Sequence, residues 1–214
     1  MTHNLSIWNA LAKTDPKHTK PFNRAGGFKG TSVKPIWVIK QLTEQFGPCG
    51  IGWGVNEPSF QVVPCEGEVL VFCTVSGWHG KKENVVYGVG GDKVQAKRQG
   101  GHFCDDEAFK KAFTDAVNNA FKFVGVAADI HMGLFDDDKY VTQARAEFNE
   151  KRDSEVDASL QLALDGVNGC DTLIQLKEWW ARNGNGIADH HVQAVVDAIE
   201  ARKQAINTMD RRAA

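Results

Sequence analysis

Several cationic side chains are spaced so that they could meet one extended anion. Lys110, Lys111, Asn118 and Lys122 recur on the polar side of the stretch 107–125, and no acid stands between Asp115 and Asp129. Lysines placed this way can neutralise successive negative charges on a partner. The same pattern also suits an ordinary solvated helix face. A second basic set, Lys93, Lys97 and Arg98, is bracketed by the pairs Gly90-Gly91 and Gly100-Gly101. Glycine lacks a Cβ, so a loop there could bring its backbone close to phosphate groups. It reads equally as a solvated connector. Basic residues also sit beside aromatic ones at Phe22 and Arg24, at Phe28 and Lys29, and at Trp37 and Lys40. A single strand of nucleic acid needs both a cationic track and tolerance for exposed bases. Trp37 and Trp53 read rather as core.

Groupings able to break or make bonds are thin. Asp129-x-His131 with Asp136-Asp137-Asp138 offers oxygen ligands and one imidazole for a hard metal, but Asp138 is equally suited to cap the next helix. His190 and His191 are neighbours in sequence and cannot face one site from a helix. There is no nucleophile elbow, phosphate-binding loop or dinucleotide fingerprint; Gly88-x-Gly90-Gly91 has the wrong spacing. The expectation is a non-catalytic protein that needs no cofactor.

The elements that must carry these residues follow from periodicity. Phe109, Ala112, Phe113, Ala116, Val117, Ala120, Phe121 and Val124 form one apolar stripe, which predicts a long helix with Asp105 or Asp106 at its start and Gly125 at its end. A helix is expected before it, reaching Gln45 or Phe46, capped by Thr31 or Ser32 and stopped by Gly47-Pro48. Between the two helices, residues 51–55, 59–63, 68–76 and 84–90 alternate or are rich in β-branched and aromatic residues, which predicts strands. The 77–84 segment is expected as a hairpin loop. Three consecutive strands make an antiparallel meander, and the long helix is its cover. The fold class is therefore α+β, a β-β-β-α core preceded by a helix. Residues 1–25 are expected as a mobile segment, 26–150 as the core, 151–158 as a charged linker and 159–214 as a helical appendage.

The 214 residues carry a formal charge of −2, unevenly spread: about +5 over residues 1–104, −5 over 105–150 and −2 over 151–214. A basic half permits phosphate binding on one face. No apolar run approaches the ~20 residues of a membrane span, and the N-terminus lacks an export-signal core. The five cysteines show no C-x-x-C spacing, so the expected setting is a reducing cytoplasm.

The order Lys-Lys-Ala-Phe-Thr-Asp-Ala-Val, closing with Ala-Phe-Lys-Phe-Val-Gly (Lys110 to Gly125), resembles the signature helix of the Rad fifty-two-like superfamily of single-strand annealing proteins. Thr43-Glu-Gln-Phe-Gly-Pro-Cys-Gly-Ile-Gly-Trp53 is similar to a segment common in phage members, the Redβ, RecT, Erf and Sak groups. The likeness covers roughly residues 22–140. It implies ATP-independent binding of single-stranded DNA and annealing of complementary strands in recombination and repair, by a phage- or mobile-element-encoded protein in a bacterial host. It implies a homo-oligomer, ring or helical filament, with DNA in a cationic groove between the core and a β-hairpin, and bulk Mg2+ as an optional aid to annealing. It also implies a C-terminal region that contacts host single-strand binding protein or a partner exonuclease. The DNA-binding positions would be Arg24, Lys29, Lys93, Lys97, Arg98, Lys110, Lys111, Asn118, Asn119 and Lys122. Asn118-Asn119 stands where many members carry two basic residues. An end-protecting binder that does not anneal, and a protein-interaction scaffold on the same fold, are the alternative readings.

Overall fold

The computed structural model describes residues 4–23, 27, 29–98 and 101–213. These fall into two compact units, residues 1–146 and 147–214.

The first unit is built on an antiparallel sheet. Strands β3 (Trp53–Val55) and β4 (Ser59–Cys65) lie end to end along one side of β5 (Glu68–His79). They are one strand interrupted at Glu57-Pro58, with the Asn56 N–H still bonded to Ser76 O at 2.9 Å. β6 (Lys81–Arg98) pairs along the other side of β5, and β7 (Gly101–Cys104) adds to its far end. The helix α3 (Ala108–Phe121) lies across β5 and β6. The α+β class and the helix-covered meander are thus as expected. So is burial of Trp37 and Trp53.

Local chemistry explains the element ends. Asp105 Oδ1 accepts from the Glu107 N–H at 2.9 Å, which satisfies a donor at the start of α3. A 3₁₀ turn, Lys122–Val124, follows the helix, and Gly125 closes it at φ +104°. A side chain there is doubly disfavoured, since a Cβ would lie 2.9 Å from Trp8 Cα. Helix α2 (Pro35–Phe46) starts with Pro35 in its first turn and ends at Gly47. Thr31 and Ser32 do not cap it; they belong to strand β2 (Lys29–Val33), because β1 (Thr19–Asn23) offers them a ladder to pair with.

Three expectations for this unit are corrected. The segment 77–84 is not a loop: β5 runs on through a buried Trp78 to His79, and the chain reverses at Gly80, φ +66°. Trp78 can stay in the strand because Gly54, opposite it, leaves room for the indole. Of the glycine-bracketed segment, residues 90–98 are likewise strand, the end of β6, and pair with β7 from Gly101. Gly90, like Gly88 before it, answers to the helix above. A Cβ on Gly90 would lie 2.3 Å from Ala112 O and Ala116 N, and one on Gly88 2.1 Å from Ala116 O. Finally, residues 4–23 are docked rather than mobile. Helix α1 (Ser6–Leu11) buries Leu11, and Asp129 clasps the segment. The Asp129 carboxylate, on the short helix α4 (Ala128–His131), accepts from Thr14 N and Oγ1, both at 2.7 Å, from Tyr140 OH at 2.9 Å and from Ile130 N at 2.8 Å. A buried carboxylate is stable when its lone pairs are filled in this way.

In the second unit, residues 147–168 of α5 (Asp138–Asn168) pack with α6 (Leu173–Asn183) and α7 (Val192–Ala213) around Val167, Leu176, Val195 and Ile199. The expected linker, 151–158, is helical. It has no glycine or proline, and Lys151 and Glu155 form an i,i+4 pair at 3.8 Å. Thr172 caps α6, in a capping box with Gln175.

Candidate functional site

The site is built on the outer side of α3. Ala108, Ala112, Ala116 and Ala120 are fully buried at every fourth position, facing the sheet. Alanine on the helix and glycine on the strand let the two backbones approach closely. This seats α3 low and turns Lys110, Lys111, Thr114 and Asn118 outward. Opposite them stands the β1–β2 hairpin, carrying Lys20, Phe22, Ser32 and Val33. Two adjoining hollows lie between, of ≈ 390 and ≈ 600 Å³, and they share Phe22, Ser32, Val33, Asp115 and Asn118. Together they form one groove.

The groove is electrically uneven. Lys20, Lys110 and Lys111 line the smaller hollow. His131 and Asp136 line the larger one, with Asn119 and Phe135. Lys110 is ion-paired with Glu107, and Lys111 with Asp105. The Lys110 ammonium holds the Glu107 carboxyl below its usual range, and Asp105 holds Lys111 above its own. All four groups reach water, so these pairs are weak and can be exchanged for phosphate. The side chains of Lys20, Asn118 and Asp136 have no polar partner among the described residues. Burial of its ring, and next the nearby charge of Lys122, lower the His131 pKa.

The predicted positions separate. Lys110, Lys111, Asn118 and Asn119 come together in the groove. Asn119 is already engaged there: its Nδ2 donates to Val89 O on β6 at 3.0 Å. Lys122 stands beside the groove, donating to Asn119 Oδ1 at 3.3 Å with its ammonium 5.5 Å from the centre of the Phe123 ring. Lys29 opens β2 and lines neither hollow. Lys93 is on β6, bonded to Glu68 at 2.6 Å, and does not join the groove. Lys97 and Arg98 lie on the β6–β7 hairpin, paired through their backbones with His102 and Gly101; their side chains lie outside what is described. Arg24 lies outside the described residues. The proposed metal grouping does not assemble. Asp129 is occupied by the clasp, Asp137 bonds the Lys139 N–H at 2.8 Å at the start of α5, and no three His, Cys, Asp or Glu among the described residues are placed to hold a metal ion.

Sequence reasoning missed Lys20 and Ser32, paired Phe22 with Arg24 rather than with α3, and put His131 in a metal grouping rather than in the groove. The available signal was the Phe22–Arg24 pair, but Pro21 within Thr-Lys-Pro-Phe-Asn hides the strand. No protein-family model matches the chain, and no curated protein matches it either. Among the described residues no helix is long and apolar enough to cross a membrane.

Proposed function

We propose that this protein binds single-stranded DNA in the α3–hairpin groove and anneals complementary strands without nucleotide hydrolysis, as a homo-oligomer. One observation carries the reading. Lysines from two elements distant in sequence, Lys20 on β1 and Lys110 and Lys111 on α3, converge on one open groove. Open grooves lined with exposed lysine suit a phosphodiester chain, and the aromatic ring of Phe22 beside them suits a base. The resemblance of α3 to the annealing-protein signature supports the same reading.

The second unit supports a protein-contact role. Between α6 and α7 lies an apolar hollow of ≈ 490 Å³ floored by Leu176, Trp180 and Ile199, with Lys177 beside it and Lys203 ion-paired with Glu200 at 2.6 Å on its rim. A partner presenting apolar side chains would fit there, in the role that the resemblance gives to a host single-strand binding protein or an exonuclease.

The test is oligonucleotide binding across a salt series. Binding to a single strand should weaken with a slope of about −0.7 per neutralised phosphate. Replacing Lys20, Lys110 and Lys111 together by alanine should flatten the slope by about 2 for every base composition. An unchanged slope would remove the groove from DNA binding. Annealing of complementary strands without ATP then separates an annealing protein from an end-protector.

A further inference from the structure

The sheet of the first unit ends in two unlike edges, and among the described residues no further strand covers Ser59–Val63 of one or Val85–Val89 of the other. On β6, Val89 O and Gly91 N are met by side chains of α3, so odd-numbered residues there turn their backbone groups away from β5. Gly88 and Gly90 therefore face β5, and their partners Val75 and Cys73 face β6. Phe60 is opposite Cys73 and Val62 opposite Val71, so Phe60, Val62 and Pro64 of β4 turn outward. Pro64, which has no N–H, stands at an outward position, as an edge strand requires. Among the described residues, β4 has no partner beyond β5, and β6 has none beyond β5 until Gln95.

Edges of monomeric proteins are commonly blunted by charge. These are not. No charged residue occurs between Ser59 and Cys65, or between Val85 and Gly91. Their side chains are open too: Val62 is 52%, Tyr87 67% and Val89 56% exposed. Such edges are templates for another strand.

We propose that copies of this chain join head to tail through these edges, Val85–Val89 of β6 in one copy pairing in parallel with Ser59–Val63 of β4 in the next. Direction follows from topology. Within one copy β4 and β6 are both antiparallel to β5, so they are parallel to each other, and a sheet continued with α3 on the same face keeps that sense. Clearance selects this pairing over a two-fold one at β6. The backbone of α3 sits directly over Gly88 and Gly90. Two β6 strands paired at about 4.8 Å would force two α3 helices nearly as close, whereas packed helices need about 8–10 Å. With β4 and β5 interposed, successive α3 helices stand about 14 Å apart. A contact between unlike edges repeats, giving a ring if it closes and a filament if it does not. The inference deepens the assembly part of the proposed function and stands apart from its DNA part, because it is tested without DNA.

Two substitutions each remove one outward N–H and leave the bonds to β5 intact: Val62→Pro and Tyr87→Pro. The wild-type protein should sediment as an oligomer, and each variant alone as a monomer. An equimolar mixture should give a heterodimer and nothing larger, since one intact β6 edge meets one intact β4 edge. Circular dichroism checks the fold, and Val62→Lys and Tyr87→Lys replace any variant that does not fold. A monomeric wild-type protein, a dimer retained by either variant alone, or a mixture that stays monomeric would overturn the head-to-tail pairing.

Discussion

Gly90→Ala should unseat α3 from the sheet. The added methyl carbon would lie 2.3 Å from Ala112 O and from Ala116 N, and 2.8 Å from Asp115 C. All three are backbone atoms of a hydrogen-bonded helix, so no side-chain rotation relieves them. Ordinary contact begins near 3.4 Å, so α3 must rise by more than about 1 Å over the middle of its length. A gap of that size forfeits about a quarter to a half of each contact's dispersion energy along the alanine stripe. The cost belongs at the upper end for overpacked cores, about 3 kcal/mol. In a domain of this size that is a fall in Tm of roughly 6–12 °C, readable by calorimetry. Ala116→Gly should not rescue it, because the clash is with backbone. Gly91→Ala is the control. Its methyl would meet the Phe72 ring at 3.0 Å, on the face away from α3, and an exposed ring can swing aside, for a loss under about 1 kcal/mol. If the two variants melt alike, close helix approach is not what demands glycine at position 90. If Gly90→Ala instead leaves stability intact and weakens DNA binding, the glycine serves a phosphate after all.

Asp129→Ala should leave Thr14, Tyr140 and the Ile130 N–H without their acceptor, at a cost of at least about 3 kcal/mol, and limited proteolysis should then cut within residues 4–23. His131 has a lowered pKa, so its neutral form is the one the fold favours; its contribution is complete above the ordinary value of about 6.5 and is lost as pH falls through the lowered folded value. A phosphate bound beside the ring would reverse that preference, so affinity for an oligonucleotide should rise as pH falls toward the lowered value, and His131→Gln should abolish the rise. Asn118→Lys should strengthen binding and steepen the salt slope by about 0.7, while Asn119→Lys should lower Tm without that gain. Removing residues 159–214 should spare annealing in vitro while impairing recombination in cells; a first unit that no longer folds would contradict the two-unit division.

The parts of the fold legible in the sequence are those whose cause is local. Four alanines at every fourth position mark the buried side of α3 without help, and the β-branched run of β5 marks a central strand. Glycines in β6 do not explain themselves, because a strand glycine under a helix and a loop glycine near a phosphate look alike until the helix is in place. The N-terminal segment is a harder case. Thr14 and Asp129 are 115 residues apart, and a polar stretch reads as mobile until that bond is known. Residues 151–158 show the opposite error: their charges suggest solvation, which an exposed helix face satisfies as well as a linker does.

These causes explain why the two asparagines of α3 are not equivalent. Each flank of the helix has separate work. The alanine stripe sets its height. Asp115 and Asn119 lie at the β6 edge, where Asn119 supplies a donor to Val89 O and a carbonyl to the Lys122 ammonium. On an edge with no strand beyond it, a carbonyl takes its hydrogen bond from a side chain or from water, and here Asn119 supplies it. A lysine at 119 would leave that acceptor to a longer, charged and more mobile group. Asn118, one residue earlier and about 100° round the helix, has no such duty and lines both hollows of the groove. Where the resemblance leads one to expect a basic pair acting as a unit, the geometry divides it into a strut and a groove residue, so only position 118 is open to adding charge toward a bound strand.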